Sequence, residues 1–169
     1  MPGRRIPTVF RSAPCHSAPI EKSKLLSFRH LCTGFSSRMC VMHNIHLDSD
    51  AIIAWLRGYQ PISGAVLHLL ESGHSLLWTP ISIAEIFAGA RKSESARLEK
   101  LFQILETLPI SETIGKKAGH YLQKYSKSRN VELGDALIAA SANVANLSLW
   151  TINKKHYPMP EVRLFLPQV

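Results

Sequence analysis

The stretch LDSDAIIAWLRG, residues 47–58, decides how the rest of the chain is read. It joins a short apolar run, Ile45-His46-Leu47, to two aspartates and then to apolar residues that read as a short helix over Ala51 to Leu56, closed by Gly58. Asp48 follows directly on the strand candidate, where it would stand over the carboxyl edge of a sheet. Asp50 lies immediately before the helical residues and suits the N-cap better. Asp48 is then left without an obvious structural task.

Working outward, apolar residues recur at helical spacing at Ile62, Val66, Leu69 and Leu70, and the run stops at Gly73. Ser75 to Trp78 is a compact strand candidate between Gly73 and Pro80. Helices follow over Ile81 to Ala90 and Ala96 to Leu105, then an extended piece over Thr107 to Ile110. Ile114, Ala118, Tyr121, Leu122 and Tyr125 form one face of an amphipathic helix, with lysines off it. Leu133 to Leu147 is apolar on almost every side and predicts a buried helix, while Ser148 to Thr151 and Val162 to Leu166 read as closing strands. Strands alternating with helices predict an α/β fold whose mainly parallel sheet is covered on both faces. Ligand chemistry in such sheets gathers beyond the carboxyl ends of the strands.

The chain has 169 residues, 46% of them apolar, enough for one domain to bury a core without disulfides or metal. Its longest apolar stretches fall far short of a bilayer span. The net charge of +8 resembles a nucleic-acid footprint, but residues 1–41 hold seven bases against one acid, leaving 13 bases and 11 acids in residues 42–169. Bulk charge therefore says little about the partner of the folded part. All three cysteines (Cys15, Cys32, Cys40) also lie in that first segment, where His16 and His30 give no usual zinc spacing. The body has none, which is compatible with a reducing compartment, and the cytoplasm is the expected location. Residues 1–41 have the composition of a transit peptide or a disordered basic arm. A third reading, a true start at Met39 or Met42, is preferred because the folding pattern begins immediately after Met42.

Two further acids stand in settings like that of Asp48. Glu85, in Ser82-Ile83-Ala84-Glu85, fits a capping box but belongs to a mostly apolar element delivered to the same sheet edge. Asp135 opens the most apolar helix, where the helix dipole alone would favour a carboxylate. Carboxylates brought close together raise one another's pKa, and a divalent cation removes that penalty. Magnesium takes oxygen ligands and is commonly held by one or two carboxylates plus phosphate oxygens.

Four segments now carry a resemblance: LDSDAIIAWLRG at 47–58, TPISIAEIFAGAR at 79–91, LGDALIAASA at 133–142 and TINKKHYPM at 151–159. In this order and spacing, the chain from about Ile45 to Leu166 resembles a PIN domain, specifically the VapC-type toxin ribonucleases of type II toxin–antitoxin modules. The resemblance implies a PIN-like three-layer α/β/α fold over residues 42–169 and a Mg²⁺- or Mn²⁺-dependent endoribonuclease. It places the catalytic and metal-binding acids at Asp48, Glu85 and Asp135. The fourth polar position falls on Asn153, where many relatives carry Asp; a neutral amide weakens the case for a second metal but could orient a water. An RNA substrate, a cognate antitoxin bound near Ile62 to Leu70 and Ile81 to Leu105, and a homodimer are implied in the same way.

Ser82 and Thr151 could position water or phosphate, and Arg57, Arg91, Lys154 and Lys155 could contact the RNA backbone, although a solvated surface charge is the ordinary reading of any one of these cations. His156 could touch RNA or simply pack beside Tyr157. His43 and His46 point to opposite faces of a strand, and Trp55, Trp78 and Trp150 read as core. Two other functions compete. An apolar strand followed by Asp-x-Asp also resembles haloacid-dehalogenase-type phosphatases, with Asp48 as nucleophile and Asp50 as acid. A PIN fold that binds RNA or protein without cutting is the other.

Overall fold

Parallel strands covered on both faces must be apolar throughout, and the central strands here are short and buried. A computed structural model describes residues 44–167. The basic segment over residues 1–41, with its cysteines, His16 and His30, and also His43, lies outside the described residues. The strands are β1 (Ile45–Leu47), β2 (Leu76–Trp78), β3 (Glu106–Thr107) and β4 (Ser148–Trp150). They lie in the order β3-β2-β1-β4 and every pair is parallel, with Ile45 opposite Leu76 and Ser148, and Leu47 opposite Trp150.

Six helices connect and flank them: α1 (Ser49–Leu56), α2 (Gln60–Glu71), α3 (Pro80–Gly89), α4 (Ser95–Ile104), α5 (Glu112–Arg129) and α6 (Leu133–Val144). Alternation along the strands divides the core in two. Ile45, Leu47, Leu76, Trp78 and Trp150 pack with Ile52, Val66 and Leu101 of α1, α2 and α4. Leu149 joins Ile114, Tyr121, Ala136 and Ala140 of α5 and α6 on the opposite face. The sheet is thus the middle of three layers, as the resemblance implies. Trp78 and Trp150 are both buried in it, while Trp55 is only partly covered.

Two elements differ from expectation. The piece after α4 pairs only through Glu106 and Thr107, prolonged by Leu108 donating to the Trp78 carbonyl at 2.8 Å. Val162 to Leu166 is not a strand: it meets the sheet at one bridge, Leu149 to Leu164. Pro158 and Pro160 have no N–H to offer a ladder, and the chain turns where Val162 donates to the Met159 carbonyl at 3.1 Å. Only the residues around Leu164 therefore reach register.

His46 is the exception in the sheet. It lies at the centre of β1, in register with Leu149, with no exposed surface and no hydrogen-bond partner at either ring nitrogen. Burial pushes its pKa down to about 4. Between pH 6.5 and 4 the unfolded chain takes up this proton before the folded one does, so this residue lowers stability as pH falls through that window. His46→Leu should raise stability, and by about 2 kcal/mol more at pH 5 than at pH 7, measured by denaturant unfolding. An equal gain at both pH values would contradict a neutral, buried imidazole.

Candidate active site

Because β1 and β4 are parallel neighbours, their carboxyl ends deliver Asp48 and Thr151 to one edge, where the Asp48 N–H donates to the Trp150 carbonyl at 2.9 Å. Here the structure corrects the sequence reading. The helix starts two residues earlier than expected, so Asp48 is the N-cap of α1 and its Oδ1 accepts from the Ser49 N–H at 2.7 Å. Asp50 falls in the first helical turn instead. Its carboxylate accepts from the Thr151 hydroxyl at 3.1 Å, the Ile152 N–H at 3.0 Å and the Asn153 N–H at 2.8 Å. Asp50 is thus a latch that fixes the loop after β4 onto α1.

That loop, through a 3₁₀ turn at Lys154–His156, reaches both other aspartates with two adjacent residues. The Tyr157 hydroxyl donates to Asp48 Oδ2 at 2.7 Å in a buried contact. His156 Nδ1 lies 3.3 Å from Asp135 Oδ1, and its Nε2 lies 2.9 Å from Asn153 Nδ2. An amide nitrogen only donates, so Nε2 accepts and the ring proton sits on Nδ1, donating to Asp135. The second Asp135 oxygen accepts from the Glu132 N–H at 3.0 Å, closing the first turn of α6.

Glu85 takes a different place. The capping residue of α3 is Thr79, whose hydroxyl oxygen accepts from the Ser82 N–H at 3.3 Å, so Glu85 lies a turn inside the helix and is not a capping-box partner. Its exposed carboxylate lies against α6, with Oε1 2.7 Å from where a Cβ on Gly134 would stand, a crowding that this flexible side chain would relieve by turning. Ser82 is fully buried, with its hydroxyl 3.2 Å from that of the cap Thr79. Arg57 pairs with Glu94 at 3.6 Å, and the Arg91 N–H donates to the same carboxylate at 2.8 Å. Lys154 and Lys155 stand exposed on the turn beside the site.

Asp48 is 6% exposed, and its pKa is pushed up to about 6, chiefly by burial and then by the charge of Asp50, against the hydrogen bonds from Tyr157 and Ser49. Burial and the neighbouring Asp48 carboxylate push the Tyr157 hydroxyl above its ordinary range, so it remains a donor. Among the described residues, no three His, Cys, Asp or Glu side chains group closely enough to hold a metal ion as they stand. The donor set nevertheless fits magnesium: hard carboxylate oxygens of Asp48 and Asp135, each with acceptor capacity beyond the bond already made, suit an ion that fills its remaining positions with water and phosphate oxygens.

Sequence reasoning placed Asp48, Asp135 and Asn153 on elements that the structure links through one loop. It missed Tyr157 and the two-sided role of His156. The adjacency of both in TINKKHYPM was the available signal, but which acid each would meet depends on contacts 21 and 109 residues away.

Polar side chains gathered over the carboxyl edge of a parallel four-stranded sheet, between two helical layers, define a PIN-type α/β/α protein. Residues 45–160 match the PIN domain model, and the chain belongs to that family. It is 36% identical over 118 residues to Ribonuclease VapC10 of Mycobacterium tuberculosis, covering 69% of this chain and 88% of that protein. Ribonuclease VapC19 of the same organism is 31% identical over 114 residues, with 67% and 91% covered. Among solved structures, VapBC2 from Rickettsia felis bound to a promoter DNA fragment superposes with a TM-score of 0.62 at 21% identity, covering 72% of this chain and 96% of that one. DNA-bound VapBC from Salmonella typhimurium gives 0.62 at 20%, covering 73% and 98%.

A folded-state pKa near 6 against about 3.8 unfolded means that Asp48 loses stability as pH rises through this window, about 3 kcal/mol in all by pH 7. Asn keeps the capping chemistry and removes the charge. In chelator at pH 7, Asp48→Asn should therefore melt several degrees above the wild type, and added Mg²⁺ should raise the melting temperature of the wild type only. An Asn variant that melts below the wild type in chelator would contradict a strained carboxylate.

Proposed function

We propose that this protein is a Mg²⁺-dependent endoribonuclease, Mn²⁺ being an acceptable substitute, and the toxin of a type II toxin–antitoxin pair acting in the cytoplasm. The reading is supported by the ribonuclease names of the relatives and, in this chain, carried by one observation: Asp48 and Asp135 are held over the same sheet edge by neighbouring residues, Tyr157 and His156. Asp48 and Asp135 would hold the ion, with Glu85 beside the N-terminus of α6. When bound, such an ion neutralises phosphate charge and makes water a better nucleophile at neutral pH.

The chain's own residues do the rest. Tyr157 keeps one oxygen of Asp48 turned inward, and His156 does the same for Asp135, so the acids need not reorganise when substrate arrives. Asn153 gives its amide hydrogen to His156, which leaves its carbonyl oxygen to accept from a water. No side chain forms a covalent bond to phosphorus. The competing phosphatase reading needs Asp50 as a free general acid, whereas its carboxylate is engaged by the loop over residues 151–153.

The antitoxin partner is supported by the neighbouring solved structures, several of which are toxin–antitoxin complexes. Exposed apolar residues on the helices expected to meet it, Leu67 of α2, Phe87 of α3 and Phe102 of α4, fit that proposal. A homodimer rests on the family resemblance alone. Among the described residues no helix is long and apolar enough to cross a membrane.

A non-cutting module is the second reading, favoured by the amide at Asn153. Purified protein incubated with total RNA separates the two. Cleavage should appear with Mg²⁺, vanish in chelator, and fall below detection in Asp48→Ala and Asp135→Ala variants that remain folded by circular dichroism. Cleavage that survives chelation or either substitution would falsify the metal mechanism, and its absence from the wild type would select the binding module.

A further inference from the structure

His156, whose Nδ1 meets Asp135, also forms one wall of a cleft of about 350 Å³ completed by Arg129, Asn130 and Lys155. Two separate elements supply the cations. Arg129 is the last residue of α5, and Lys155 lies on the 3₁₀ turn beside the site. Asn130 ends α5 in the left-handed conformation, φ 54°, so the chain leaves the helix sharply at the cleft's edge.

Both cations are exposed, and neither makes an ion pair with any described residue. Lys92, Lys100, Lys127 and Lys154 also make no ion pair among the described residues, so what sets Arg129 and Lys155 apart is that two separate elements bring them to one cleft. No carboxylate and no aliphatic or phenyl side chain lines the cleft. Two unpaired cations and an amide, without an apolar wall, select an anion rich in hydrogen-bond acceptors over an apolar ligand. Through His156 the cleft adjoins Asp135.

We propose that this cleft binds the phosphate–ribose backbone of single-stranded RNA next to the linkage that is cut, with Arg129 and Lys155 on phosphate oxygens and Asn130 as an accessory donor. The assignment rests on the ribonuclease reading for the identity of the strand. Contacts of this kind set register and affinity but read no base, so the cleft contributes equally to every RNA sequence.

The test is fluorescence anisotropy with a labelled single-stranded RNA oligonucleotide in chelator, where cleavage does not interfere, over a series of salt concentrations. Arg129→Glu/Lys155→Glu should weaken binding about 10-fold or more near 0.1 M salt and reduce the slope of log affinity against log salt by about 1.4, two phosphate contacts' worth. Arg129→Gln/Lys155→Gln should reduce the slope similarly without added repulsion. Lys116→Glu, about 20 Å away along α5, controls for net charge. Unchanged affinity and slope in both double variants, or a loss no greater than that of Lys116→Glu, overturns the proposal. Wild-type protein that binds as expected but does not cut on addition of Mg²⁺ overturns the nuclease reading and leaves the cleft standing.

Discussion

The buried 2.7 Å hydrogen bond from Tyr157 to Asp48 is the contact on which the site depends. A carboxylate this deeply covered, with Asp50 nearby, is unfavourable in its charged form, and without a fixed donor it would take up a proton or turn away. The tyrosine comes from a loop after the last strand, 109 residues along the chain, so the acid is oriented only once the whole sheet has assembled. His156, one residue earlier, applies the same logic to Asp135.

The parallel sheet explains why one loop can serve both acids. Because β1 and β4 are neighbours running in the same direction, the residues after them emerge side by side. Asp50 then converts proximity into fixed geometry by accepting from Thr151, Ile152 and Asn153. With the loop start anchored on α1 and its end reaching Asp48 and Asp135, the three polar segments become one hydrogen-bonded unit. A buried Asp48 beside Asp50 is unfavourable in its charged form, and under the proposed function a cation would offset that cost.

Much of this was legible in the sequence because it depends on local periodicity. The six helices fall within a few residues of their expected positions, and the run from Leu133 marks α6 as the most buried because alanines at 136, 139, 140 and 142 leave no polar face. What was not legible depends on cap geometry or distant contacts. The assignment of the cap to Asp50 failed because either aspartate could fill that role and backbone dihedrals decide between them. The capping-box alternative for Glu85 falls away because Thr79, three residues before Ser82, fills that task. Val162 to Leu166 has strand composition, but the two prolines before it allow a single bridge. Tyr157 entered the sequence reading only as a neighbour of His156, whereas its ring packs in the second core and its hydroxyl donates to Asp48.

Glu85 shows how backbone chemistry complements the acids. Gly134 leaves room for the flexible end of Glu85 beside the first turn of α6. The most direct measurement of the whole arrangement is anomalous diffraction from a crystal soaked in Mn²⁺. An ion bridging Asp48 and Asp135, at about 2.1 Å from an oxygen of each, with Tyr157 and His156 still bonded to the same carboxylates, is the predicted result. Manganese bound elsewhere, or this pair left unoccupied at saturating Mn²⁺, would contradict it.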